Sequence, residues 1–125
     1  MTVRRQRLGQ EGEDVAAAAL EAAGLTVLER RFRCRTGEID LVAQEADTLV
    51  FVEVKTRGGR GYGTPAEAVH AAKRARMARV AAVWLQRHGG APPPCRFDVV
   101  EVTGEGNGRL AAHHVRDAFR LWRTG

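Results

Sequence analysis

Apolar positions are densest in two short runs, residues 39–43 (IDLVA) and 49–54 (LVFVEV), separated by the polar break 44–48. Their length and β-branched and aromatic content predict strands, and so short a break predicts a β-hairpin. Side chains alternate along a strand, so Ile39, Leu41 and Ala43 share one face with Val50, Val52 and Val54. That face reads as core. The other carries Glu38, Asp40 and Val42, with Phe51, Glu53 and Lys55. A hairpin centred between Ala46 and Asp47 sets Asp40 opposite Glu53 and Glu38 opposite Lys55. Leu49-Val50-Phe51-Val52 is apolar on both faces, which predicts a strand covered on both sides. Charges at the end of such a strand lie at the lip of a core and need partners.

The remaining pattern supplies elements on either side of this hairpin. Residues 8–23 predict a helix with the alanine-rich stripe Val15, Ala16, Ala19, Leu20 and Ala23, stopped by Gly24. Residues 26–31 read as a strand. Four glycines between Thr56 and Gly63 mark a flexible loop. Thr64-Pro65-Ala66-Glu67 is a capping box that opens a second helix. It runs to about residue 87, stops at Gly89-Gly90, and buries Val69, Met77, Val80, Ala81, Trp84 and Leu85. Three prolines, 92–94, form a stiff connector. Residues 95–103 alternate as a strand, with Phe97, Val99 and Glu101 on one face and Asp98, Val100 and Val102 on the other. Asn107-Gly108 signals a turn, returning a strand at 110–115 and a short helix at 116–122. The 125 residues read as one domain, 1–125, with residues 1–7 a basic arm whose composition leaves it partly disordered.

Composition narrows the partners. The formal net charge of +5 favours an anionic partner, although many basic proteins bind no nucleic acid. Cys34 and Cys95 lie far apart in no metal-like spacing, as expected of free thiols in a reducing cytoplasm. No run approaches the ~18 apolar residues of a membrane span, and the basic start lacks the apolar region of an export signal. A cytoplasmic protein with no membrane partner is expected. His113 and His114 are neighbours that point to opposite faces of a strand, so they cannot chelate together.

Candidate chemistry gathers on the hairpin's charged face. Opposed carboxylates destabilise a sheet and cannot both ionise freely at close range. A hard divalent cation, Mg²⁺ or Mn²⁺, would remove the conflict. The alternative is a solvated face whose exposed ion pairs contribute little. Lys55 is one of only two lysines among 20 lysines and arginines; where the chain otherwise uses arginine, a compact ammonium suggests specific chemistry. Arg31, Arg33 and Arg35 lead into the acidic hairpin and suit either phosphate contacts or a solvated surface strand; Arg57, Arg60 and Tyr62 in the glycine-rich loop suit phosphate contact and base stacking, or a mobile connector that touches no ligand. Lys73, Arg74, Arg76 and Arg79 crowd the second helix, where a duplex backbone or plain solvent would both fit.

Glu38-Ile39-Asp40-Leu41-Val42-Ala43 followed by Val50-Phe51-Val52-Glu53-Val54-Lys55-Thr56-Arg57 resembles the YraN-like family of small bacterial endonuclease-like proteins. That family is similar to archaeal Holliday-junction resolvases within the PD-(D/E)xK nuclease superfamily. Leu8-Gly9-x-x-Gly12-Glu13, Arg31-x-Arg33, Gly63-x-Pro65-x-Glu67-Ala68-Val69 and Arg96-Phe97-Asp98-Val99-Val100 extend the match over nearly the whole chain. The resemblance implies an α/β, restriction-endonuclease-like fold, a mixed central sheet flanked by helices in the order αβββαββ. It implies a metal-dependent DNA endonuclease, with branched or damaged DNA among the candidate substrates. Asp40, Glu53 and the backbone carbonyl of Val54 would hold Mg²⁺ or Mn²⁺, and Glu13 on the first helix would join them. Lys55 would orient the attacking water, with Glu38 a pocket neighbour. Ile39-Asp40 stands where the superfamily has proline-aspartate. Two other classes stay open: a non-catalytic nucleic-acid-binding module that retains the fold, and a protein-interaction scaffold. Symmetric cutting of a junction would need a homodimer, and the sequence marks no dimer surface.

Overall fold

In the computed structural model, residues 3–57 and 71–119 are described, with side chains of the first helix from Gln10 onward. Two helices and five strands follow the order αβββαββ: α1 (Val3–Ala22), β1 (Thr26–Cys34), β2 (Gly37–Glu45), β3 (Thr48–Arg57), α2 (Ala71–His88), β4 (Cys95–Gly104) and β5 (Leu110–Phe119). The strands form one sheet ordered β1-β2-β3-β4-β5. All neighbours are antiparallel except β3 and β4, which run parallel. A parallel pair needs a crossover, and α2 lies in the connection between them.

The helices take opposite faces of the sheet. Under α1, Ala16, Ala17 and Leu20 pack with Leu41, Ala43, Val50, Val52, Val100 and Val102. Small side chains let the helix lie close. At Gly12 the approach is closest, because a Cβ there would fall 2.1 Å from the Thr56 hydroxyl. Under α2, Met77, Val80, Ala81 and Trp84 pack with Ile39, Val42, Phe51, Phe97 and Val99. Phe51 meets Trp84 edge-on at 5.9 Å and Phe97 at 5.7 Å. Each such side chain, fully buried, contributes about 1.5–3 kcal/mol. The central strand β3 is thus covered on both sides, as its two-sided apolar run requires.

Helix α1 starts at Val3 rather than residue 8, so backbone expected in the basic arm is helical. It ends as its glycine predicts: Gly24 takes φ +98°, and the N–H groups of Gly24 and Leu25 donate to the carbonyls of Glu21 and Leu20. That is a Schellman closure, with Leu20 and Leu25 both buried. Helix α2 ends before Gly89 (φ +68°) and Gly90 (φ +82°). The capping box at 64–67 and Val69 lie outside the described residues.

The hairpin register is the symmetric one, with Leu41 opposite Val52 and Glu45 opposite Thr48. One face assignment changes. Ile39 belongs to the α2 side while Leu41 belongs to the α1 side, so the strand switches faces at Asp40. The expected helix at 116–122 is replaced, as far as Phe119, by a continuation of β5. Tertiary contacts override local propensity there. Asp117, at φ +54°, donates its N–H to Asp98 at 2.8 Å, and Phe119 stacks on Phe97 with centroids 4.8 Å apart.

Asp98 anchors a polar cluster at the end of the sheet where β4 begins. It is fully buried and accepts from Arg96 (3.0 and 3.2 Å), His114 (2.7 Å) and the Asp117 N–H. Arg96 also donates to Glu45 at 2.6 Å, and Arg116 adds two bonds to the same carboxylate. Those bonds, first from Arg116 and then from Arg96, hold the Glu45 carboxyl down at about 2. Burial pushes the Asp98 carboxyl up, but His114, Arg96 and the Asp117 N–H outweigh it and hold it below its ordinary value.

Candidate active site

The site forms where the β2–β3 ladder opens. Opposite Asp40 on the edge strand β1, Arg31 takes φ +53°, a left-handed conformation uncommon for a residue with a Cβ. Neither Arg31 nor Asp40 is a partner in the ladder, which runs through Arg30–Leu41 and Phe32–Ile39 on either side. On its other flank β2 pairs with β3 only from Leu41 onward. Val54 therefore has no partner residue on β2, and its N–H donates instead to Oδ2 of Asp40 at 2.7 Å. The kink swings the Asp40 carboxylate into the gap between the strands.

Glu53 stands beside it, with its side chain 9% exposed. Burial first, and then the neighbouring Glu53 charge, push the Asp40 carboxyl up to about 7, against the opposing pull of the Val54 N–H. Two ammonium groups meet the Glu53 carboxylate from the α2 side. Lys73 contacts Oε1 directly, and Lys55 lies 3.6 Å from the same oxygen. Their pKa values move apart. Burial, together with the neighbouring Lys73, lowers that of Lys55. Burial also works against the Lys73 ammonium, but its bonds to Glu53 and Lys55 and the Glu53 and Asp40 charges hold it above the ordinary lysine value. A cavity of about 210 Å³ opens over this group, lined by Gly37, Glu38, Asp40, Glu53, Lys73, Arg76 and Met77.

The other sequence candidates spread around this centre. Glu13, nearly buried, sits against the Arg31 guanidinium at 3.1 and 3.3 Å. The Glu13 bond and charge raise the Arg31 pKa, and the charges of Glu38 and Asp40 add to it. Arg31 thus lies between Glu13 on one side and the pocket acids on the other. Glu38 lines the cavity, but its partner is Arg33 at 3.5 Å rather than Lys55. The shift follows from the kink, because the ladder that would set Glu38 opposite Lys55 stops at Leu41. The arginine rim is largely matched by acids: Arg30 pairs with Asp14, Arg31 with Glu13 and Arg33 with Glu38. Arg35 is exposed. Arg57 pairs with Glu101 at 3.2 Å on the neighbouring strand. Arg74 lies over the Phe119 ring at 5.3 Å, so the basic residues of α2 do not share one face. Arg60 and Tyr62 fall outside the described residues.

Lys73, on a helix face that the sequence leaves open between a duplex backbone and solvent, lies against Glu53 at the cavity. The signal for this was in the spacing. Lys73 precedes the buried Met77 by four residues, one turn back on the same helical face.

A family profile described as "Uncharacterised protein family UPF0102" matches residues 12–102, which hold Glu13, the whole hairpin, Lys73 and the Asp98 strand. The chain belongs to the UPF0102 family. It is 55% identical over 114 residues to a UPF0102 protein of Symbiobacterium thermophilum, covering 91% of this chain and 97% of that one. A UPF0102 protein of a Parafrankia species is 52% identical over 114 residues, with the same coverage. One from Nocardia farcinica is 47% identical over 115 residues, covering 92% of this chain and 91% of its own. The match to these UPF0102 relatives spans nine-tenths or more of each chain. Among the described residues, no helix of this UPF0102 chain is long and apolar enough to cross a membrane.

The donor set suits one hard divalent ion. Asp40 and Glu53 offer oxygens at one cavity wall, and their mutual repulsion is relieved by positive charge. Among the described residues no three acidic, histidine or cysteine side chains gather around one point. An ion here would complete its shell with waters and backbone carbonyl, as Mg²⁺ commonly does.

Proposed function

We propose that this UPF0102 protein is a metal-dependent DNA endonuclease that hydrolyses phosphodiester bonds. One observation carries the reading. A kinked strand sets Asp40 beside Glu53, with Lys55 on the same carboxylate, at the wall of a cavity. Asp40, Glu53 and the Val54 carbonyl would hold Mg²⁺ or Mn²⁺. When bound, such an ion neutralises charge developing on phosphate oxygens and makes a water more acidic.

The chain's own groups do the rest. Lys55, whose depressed pKa weakens its hold on its proton, orients the attacking water and stabilises its hydroxide form. The Val54 N–H fixes one Asp40 oxygen. Glu13 holds Arg31 at the pocket edge, where the guanidinium meets a phosphate oxygen of the backbone. Arg76 on the cavity wall supplies a second phosphate contact. If the attacking water displaces the 3′-oxygen, as is usual for such nucleases, the P–O3′ bond breaks and the products are a 5′-phosphate and a 3′-hydroxyl.

The test is a cutting assay on linear, nicked, flapped and four-way DNA with Mg²⁺, with Mn²⁺ and with a chelator. Cleavage of at least one branched or nicked substrate, dependent on the divalent ion, is expected. Salt-dependent duplex binding without ion-dependent cutting would point instead to a binding module. Absence of any nucleic-acid affinity at low salt would leave the scaffold reading.

A further inference from the structure

Glu53 carries two ammonium groups where the proposed chemistry uses one. Lys55 follows it by two residues on the same strand and shares its face. Lys73 comes from α2 on the opposite wall of the cavity and makes the direct contact with Oε1. Its side chain is 32% exposed and lines the cavity. An ion held by Asp40 and Glu53 would draw on the same Glu53 carboxylate that this ammonium contacts.

We propose that Lys73 is the resident counter-ion of this carboxylate pair and that the divalent ion displaces it. This rests on the reading of Asp40 and Glu53 as a cation centre. The two occupants compete, because both draw on the Glu53 carboxylate and both are positive. Without the ion, Lys73 offsets the repulsion between the acids and keeps the kinked strand closed. With the ion bound, the four-carbon stem lets the ammonium swing to the cavity mouth while α2 stays in place, anchored one turn on by Met77. Lys73 is thus a positioning residue, and its presence weakens ion binding in the free protein.

The chain's lysine content makes the exchange directly observable. Lys55 and Lys73 are its only lysines, so reductive ¹³C-dimethylation, which retains the positive charge, gives two side-chain NMR signals. Lys73→Met assigns them. Saturating Mg²⁺ is expected to move the Lys73 signal toward that of a solvated lysine. In calorimetric titration with Mn²⁺, Lys73→Met and the milder Lys73→Gln should bind roughly tenfold more tightly than wild type, and Lys73→Arg no more tightly. A Lys73 signal unmoved by saturating Mg²⁺ would overturn displacement, as would Mn²⁺ affinity unchanged or weakened in both neutral variants. In those cases the cation centre survives, since the wild type still binds. Failure of wild type and variants alike to bind Mn²⁺ would sink the cation centre and the displacement together.

Discussion

Replacing Asp40 with alanine is expected to lower ion-dependent DNA cleavage by at least about a thousandfold, and Lys55→Ala by roughly 10²–10³. Both act on one step, so the double variant should be little worse than Asp40→Ala alone. Neither change should unfold the protein. Asp40→Ala removes a carboxylate whose pKa is pushed up to about 7 by burial and by Glu53, so it relieves repulsion while it orphans the Val54 N–H. Those effects oppose each other, and the thermal midpoint should move by only a few degrees. Cleavage measured under single-turnover conditions, alongside a melting curve for each variant, checks both halves. Undiminished cutting in both single variants would remove the site assignment.

The larger stability effect belongs at the other end of the sheet. Asp98→Ala should destabilise the fold by about 3–5 kcal/mol, the usual loss when one partner leaves a buried, hydrogen-bonded ionic group. Asp98 is fully buried, and its removal strands His114 and the Asp117 N–H and leaves Arg96 with Glu45 alone. For a domain of this size the melting midpoint should fall by roughly 10–20 °C. Asp98→Asn, which keeps the shape and some of the bonds, should lose less. In the wild type the same cluster is spent only in strong acid. The folded Glu45 carboxyl lies near 2, below its ordinary value of 4.5. Its contribution is therefore present above pH 4.5 and fades as the pH falls toward 2. A loss below about 1 kcal/mol in Asp98→Ala, measured by urea denaturation at pH 7, would mean that the cluster is incidental.

Much of this was legible in the chain. Strict alternation across a short break set the register that places Leu41 against Val52. Gly24 and Gly89-Gly90 ended their helices, and the two-sided apolar run of β3 announced helices on both faces. The kink at Asp40 was not legible. It depends on Arg31 in a left-handed conformation, which no glycine or asparagine signals, and it moved Ile39 across the sheet and broke the expected Glu38–Lys55 pair. The end of β5 was hidden for a similar reason: residues 116–119 carry helical propensity, but a hydrogen bond to a buried carboxylate and a stacked Phe97 hold them in the irregular end of the strand. Charge alone did not show the pairing. The arginine row read equally as a phosphate rim or a solvated strand, and Arg30, Arg31 and Arg33 each have an acid within reach, two of them from α1. Pairing across elements cannot be read from one element's composition.

The central claim is that Asp40 and Glu53 together bind a divalent ion. Anomalous diffraction from crystals grown with Mn²⁺ tests it most directly. A single strong peak is expected in the cavity beside α2, within about 2.0–2.3 Å of an oxygen of each carboxylate, and absent in Asp40→Ala. A map with no peak between those two side chains at saturating Mn²⁺, or with ions bound only elsewhere on the surface, would contradict it.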